Sequence, residues 1–205
     1  ADTGYGNSLN TMRTVKDYIR SGASGLILED QVWPKKCGHM KGKAVIPIDE
    51  MEYKIKAASQ SRKEEKSDLV IVGRTDSLAI EGVDQAIDRV KRYHKAGADV
   101  LFIEAPDKID ELELIAKQVK LPLLLNQLEG GRTPLITMKQ AKKIGFKIIL
   151  FPLTSLYSST KAMFDSLSYL KKHQTSVGIE DQLVTFDKFN QIVNYDDFIK
   201  LEICF

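Results

Sequence analysis

The chain has little of what marks a secreted, membrane-bound or nucleic-acid-binding protein. Its 205 residues include two cysteines, Cys37 and Cys204. They lie near opposite ends, make no disulfide framework and have no zinc-type spacing, which suits a reducing cytoplasm and leads us to expect a cytoplasmic location. No apolar run reaches the roughly 20 residues that a bilayer-spanning helix needs, so no membrane partner is expected. Charge of one sign is also lacking, since 30 Lys and Arg stand against 28 Asp and Glu. The lysines are dispersed among acids and form no stripe, which argues against a nucleic acid partner and leaves open a small acidic substrate in a local pocket.

What the sequence does have is a repeated helix-to-strand unit. Ser21 to Glu29, Ala96 to Glu104 and Ile144 to Phe151 each run from a helix closed by glycine (Gly22, Gly97, Gly145) into a continuous apolar stretch. Glycine suits the left-handed position that ends a helix, and unbroken apolar runs suit strands covered on both faces. Asp68 to Gly73 and Leu121 to Leu125 read as two more such strands. Helical periodicity falls between them, over 10–20, 49–65, 83–95, 110–119, 138–143 and 155–173. Alternating helices and buried strands imply a parallel sheet.

The polar residues then separate an open sheet from a barrel. Asp2, Glu29, Asp30, Arg74, Asp76, Glu104, Asn126 and Thr154 each fall where a strand ends. Reactive groups on many consecutive strand ends are what the carboxyl-terminal face of a barrel provides, whereas an open sheet gathers ligands at one switch point. The reading is an α/β chain, a (β/α)8 TIM-type barrel without its N-terminal strands. Residues 1–174 form the partial catalytic barrel, and 175–205 form a C-terminal helical extension on the barrel or a neighbouring subunit. Because 1–6 read as a strand's end entering a glycine loop, the chain is expected to be internal to a product of about 290 residues, the size of a complete barrel.

The segment from Glu29 to Lys43 places a thiol, a histidine and several lysines in a loop after a strand. Such an electropositive setting lowers a thiol's pKa and fits Cys37 for proton transfer. Arg74 has the rigid fork that binds carboxylates, with an ion pair to Asp76 or Glu104 as its other reading. Trp33 and Pro34 read as braces of the loop.

Lys35-Lys36-Cys37-Gly38-His39, after a strand ending Glu29-Asp30-Gln31, resembles the signature of the isocitrate lyase and phosphoenolpyruvate mutase superfamily. Similar matches are 1–6 (Ala-Asp-Thr-Gly-Tyr-Gly), 73–76 (Gly-Arg-Thr-Asp), 102–106 (Phe-Ile-Glu-Ala-Pro) and 126–134. The nearest resemblance within it is to the methylisocitrate lyases and the petal death protein group, often labelled carboxyvinyl-carboxyphosphonate phosphorylmutase.

The resemblance implies a Mg2+ cofactor held by Asp2, as the second aspartate of an Asp-Ala-Asp motif, and by Glu29. It implies substrate contacts from Arg74, Glu104, Asn126, Gln127, Leu128 and the backbone N–H of Gly38. Cys37 would be the catalytic acid, with His39 and Lys35 setting its proton affinity. The expected reaction cleaves a carbon–carbon bond in a 2-hydroxy or 2-oxo di- or tricarboxylic acid (2-methylisocitrate, 2-alkylmalate or oxaloacetate), and a homo-oligomer, dimer or tetramer, is the expected assembly. Tyr157 stands where methylisocitrate lyases tend to have an arginine, and Glu129-Gly130-Gly131 looks more like the oxaloacetate-hydrolysing branch, so a tricarboxylate is the poorer candidate. The alternatives are carbon–phosphorus bond chemistry and a truncated fragment that only binds ligand.

Overall fold

The computed structural model describes residues 1–204. Its order is α1 (Ser8–Arg20), β1 (Gly25–Glu29), α2 (Ile48–Glu64), β2 (Val70–Thr75), α3 (Leu78–Glu81), α4 (Val83–Ala96), β3 (Val100–Ile103), α5 (Ile109–Gln118), β4 (Leu123–Asn126), α6 (Met138–Ile144), β5 (Ile148–Leu150), α7 (Thr154–His173), α8 (Phe186–Ile192) and α9 (Tyr195–Ile203). The strands pair in sequence order, all parallel, and the sheet curls into a half-barrel with helices around it. The five complete strands and the helices expected are present, whereas residues 1–6, expected to begin as a strand's end, form turns and bends. The additional helix α3 follows directly on the β2 end.

Parity along each strand decides which side chains face the helices and which face the concave side. Leu26, Leu28, Ile71, Leu101, Ile103, Leu123 and Leu125 join a large cluster with the helix residues Val15, Met51, Ile55, Val90 and Leu112. The intervening positions Val72, Val100, Phe102 and Leu124 form a separate small cluster with Ile27 and Leu150. Burial on both faces is why these strands read as unbroken apolar runs. Full burial of a side chain such as Leu101 stabilises by roughly 1.5–3 kcal/mol.

Gly97 closes α4 with φ +118, and a β-carbon there would lie 2.5 Å from the Ser59 hydroxyl oxygen, so any larger residue is excluded twice over. A capping box in which Asn7 and Asn10 exchange side-chain and backbone bonds starts α1, and one between Thr137 and Gln140 starts α6.

The chain divides into two compact units, Ala1–Thr154 and the segment from Ser155 onward. The division falls one residue into α7, ahead of the 174/175 boundary expected from sequence, so all of the long helix but Thr154 groups with the C-terminal segment. In that segment, among the described residues, Ile179 alone is buried. No helix among the described residues is long and apolar enough to cross a membrane.

Candidate active site

The site follows from strand parity. Two positions beyond the concave-side residues Ile27, Val72, Phe102 and Leu124 come Glu29, Arg74, Glu104 and Asn126. The polar end of each strand is thus the next inward-facing residue, and four strands bring these groups to one mouth. A cleft of about 400 Å³ opens there, lined by Lys35, Cys37, Gly38, His39, Arg74, Glu104, Asn126, Leu128, Pro152 and Leu153. Eight of the predicted site residues therefore line one space.

Arg74 is the electrostatic centre. Its Nε and Nη2 donate to the two carboxylate oxygens of Asp76 at 2.8 and 3.1 Å, Nη2 lies 3.0 Å from Glu104 Oε2, and Nε approaches Glu29 Oε2 at 3.4 Å. The guanidinium carbon stands 5.0 Å from the Phe102 ring centre. Burial works against its charge, but Glu104, Asp76 and Glu29 raise its pKa and keep it protonated. Both ion pairs offered as its other reading are therefore present, while Nη1 enters none of these pairings.

Glu104 is buried. Burial pushes its carboxyl up, and His39 and Arg74 more than reverse this, so it ionises below its ordinary value. Asn126 Nδ2 donates to Glu104 Oε1 at 3.3 Å, and Asn126 Oδ1 is buried without a hydrogen-bond partner. His39 has its Nδ1 occupied, since it accepts the Arg132 backbone N–H at 2.9 Å. Its Nε2 lies 3.0 Å from Glu104 Oε1 but out of line for a hydrogen bond. These contacts seat the ring against Glu104 and the 128–133 loop.

Asp2 and Glu29 meet at the Lys35 ammonium, which is 3.2 Å from Asp2 Oδ1 and 3.1 Å from Glu29 Oε1. Part of the positive charge expected beside the thiol is therefore directed at carboxylates. Glu29 is buried, its Oε1 accepts no well-aligned hydrogen bond, and burial raises its pKa against the pull of Arg74 and Lys35. Among the described residues no group of three or more His, Cys, Asp and Glu gathers to hold a metal. Two hard carboxylates already facing a cation nevertheless fit Mg2+, which takes one or two carboxylates and keeps several waters.

Cys37 is exposed. Gly38 is required by close approach: a β-carbon on it would lie 2.3 Å from Glu104 Cγ and 2.6 Å from Arg74 Nη2. Trp33 is 62% exposed and, with Pro34, lines a shallow cleft against Lys36, Lys43 and Ala44 of the loop.

Gln127 departs from its expected role as a substrate contact. Parity turns it to the opposite side from Asn126, where its amide donates to Pro134 O (3.3 Å) and accepts the Ile136 N–H (2.6 Å). It braces the 127–136 loop and does not line the cleft. Lys43, which no sequence motif singles out, has a buried side chain that bonds the Gly38 carbonyl and reaches Asp76 Oδ1 at 3.2 Å. Its only sequence signal is its place at the end of the charged loop.

A family model described as phosphoenolpyruvate phosphomutase matches residues 1–170. A carboxyvinyl-carboxyphosphonate phosphorylmutase of Arabidopsis thaliana, described as chloroplastic, is 47% identical over 98% of this chain and 60% of its own length. A 2,3-dimethylmalate lyase of Eubacterium barkeri is 42% identical over 98% of this chain and 69% of its own. Among solved structures, oxaloacetate acetylhydrolase with the inhibitor 3,3-difluorooxalacetate superposes with a TM-score of 0.91 at 34% identity, covering 98% of this chain and 67% of that one. The chain spans between three fifths and seven tenths of the length of these relatives.

Proposed function

This chain belongs to the phosphoenolpyruvate phosphomutase family, in the superfamily it shares with the isocitrate lyases, and from that premise we propose that the protein cleaves a carbon–carbon bond in a 2-hydroxy or 2-oxo dicarboxylic acid. The observation that carries the reading is one cleft holding an exposed thiol, a protonated Arg74 and the unsatisfied Asn126 oxygen, beside the Asp2 and Glu29 pair.

Each residue has a task that its surroundings support. Arg74, fixed by Asp76 and Glu104, presents Nη1 to a substrate carboxylate without having to reorganise, which is where electrostatic stabilisation is most effective. Asn126 and Leu128 border the same space and orient the substrate. Cys37 donates the proton that quenches the departing carbanion, a task for a thiol within reach of the cleft. Asp2 and Glu29 would hold Mg2+, which when bound supplies Lewis-acid stabilisation of developing oxyanion charge.

Alkylmalates and oxaloacetate are favoured over 2-methylisocitrate. The relatives named for dimethylmalate and oxaloacetate chemistry support this, as does Tyr157, whose phenol cannot offer an arginine's paired charge-assisted bonds. A coupled assay for 2-oxo acid or oxalate on a panel of 2-methylisocitrate, 2-alkylmalates and oxaloacetate tests the proposal. Magnesium-dependent product, abolished by chelation, is expected, with 2-methylisocitrate having the lowest kcat/KM. Absence of product from every member sinks it. The name of the Arabidopsis relative favours carbon–phosphorus chemistry as a second reading, so the panel includes phosphonopyruvate. We further propose a homo-oligomer, which light scattering checks.

A further inference from the structure

We propose that Lys43 is a positioning residue, a buried ammonium latch that clips the backbone of the Cys37 loop to Asp76 and so fixes the thiol relative to Arg74. The inference rests on the reading of Cys37 as the proton donor. The loop's base is closed without Lys43: Gln31 bonds both the N–H and the C=O of Lys36 at 2.9 Å, and Val32 N–H donates to Ala44 O at 2.8 Å. Its tip has fewer ties. Met40 N–H donates to Cys37 O in a local turn, and Lys36 Nζ donates to Gly42 O at 2.9 Å within the loop. Lys35 ties the near side of the loop to Glu29 and Asp2, and beyond Cys37 the links to the barrel are the His39 contacts and Lys43.

Lysine in a surface loop ordinarily keeps its head in water. Here the side chain is only 2% exposed, and the ammonium bridges Gly38 O and Asp76 Oδ1. Desolvating an ammonium is costly unless its partners are well placed. Asp76 is well placed, because it is fully buried, its N–H is held by Asp30 Oδ1 at 2.9 Å, and its carboxylate already grips Arg74. Arg74 and Lys43 also hold the Asp76 carboxyl below its ordinary pKa against the effect of burial. A continuous chain thus runs from Arg74 through Asp76 and Lys43 to the carbonyl of Gly38, the residue next to the thiol. Gly38 in turn leaves no room for a β-carbon against Glu104, so small displacements of the loop change the site directly.

Lys43→Met keeps the length and removes the charge, and Lys43→Arg keeps the charge. Trypsin reads the loop directly, since Lys36 and Lys41 lie within it and cleavage tracks local opening. In the full chain we expect cleavage after these residues to become about tenfold faster in Lys43→Met, as the open population rises, with Lys43→Arg near wild type. A misplacement on the order of 1 Å costs about a hundredfold in rate, so kcat in Lys43→Met should fall roughly ten- to a hundredfold with little change in KM. Lys43→Arg should recover part of it. Unchanged cleavage in Lys43→Met overturns the latch. So does faster cleavage with wild-type kcat in a protein that Cys37→Ser inactivates. If cleavage quickens and Cys37→Ser remains active, the latch stands and the reading of Cys37 fails. Should Lys43→Met not fold, Lys43→Gln applies the same test with a neutral polar group too short to bridge Gly38 O and Asp76.

Discussion

Glu29 and Glu104 occupy equivalent inward positions at the ends of β1 and β3, and both are almost fully buried, at 2% and 1% exposure, yet their ionisation is biased in opposite directions. Glu104 lies among donors: Arg74 at 3.0 Å, the Asn126 amide at 3.3 Å and the Ala105 N–H at 3.1 Å, with His39 alongside. Burial raises its pKa, but these partners prevail and the carboxyl is held below its ordinary value. Glu29 has only Lys35, from a partly exposed side chain, and a longer approach by Arg74. Burial prevails there, helped by the neighbouring charge of Asp76. Glu104 is thus satisfied by the protein itself, whereas Glu29 is short of positive charge, a condition that a divalent cation relieves.

The cleft that Glu104 lines also holds Cys37, and replacement of the thiol should have the largest effect. Cys37→Ser is expected to lower kcat by about a hundredfold or more, the range for a lost general acid. Binding of magnesium and of a 2-oxo acid product should survive. Equal losses of rate and binding, measured by steady-state kinetics and calorimetry, would show instead that the loop had collapsed.

Magnesium itself separates the corners next. At a hundredfold excess over its Kd, a ligand of the native state stabilises by about 2.7 kcal/mol. Glu29→Gln should abolish the resulting rise in Tm, and Glu104→Gln should retain it. If both variants lose it alike, the two corners are not distinct.

Without metal the order reverses. Glu104→Gln removes charge-assisted bonds worth about 1.5–3 kcal/mol and should destabilise by that order in urea at pH 7. Because the folded pKa of Glu104 is depressed, its contribution is present above the unfolded value of about 4.3 and is lost as pH falls through the folded pKa. The wild-type and variant stabilities should converge on acidification. Glu29, with a raised folded pKa, has the opposite sign: stability declines as pH climbs from about 4.3 through the folded value. Metal-free Glu29→Gln at pH 7 should therefore be the mildest change, neutral or slightly stabilising within about 1 kcal/mol. A larger loss would mean that Lys35 already compensates Glu29.

The strands and most helices were legible because burial on both faces and glycine-terminated helices leave marks within single segments, as at 96–104. The site's inward residues were legible for the same reason, lying where apolar runs end. Gln127 was misread because it follows Asn126 directly, and adjacency in sequence is opposition across a strand. The Lys43 contacts were invisible because they join 43 to 38 and 76, a pairing that only the folded loop creates. The division at Thr154 was missed because α7 has the periodicity of the barrel helices, while none of its residues is buried.

Strand parity makes the cleft a matter of counting. Glu29, Arg74, Glu104 and Asn126 are the final inward rungs of β1 to β4, so a single residue inserted within any of these strands would turn that rung toward the helices. The same insertion at Gly130, where a β-carbon meets nothing within 4 Å, would leave every rung in place. New specificities are therefore reached by lengthening and recolouring the 128–133 loop, with the strands left as a fixed ruler beneath it.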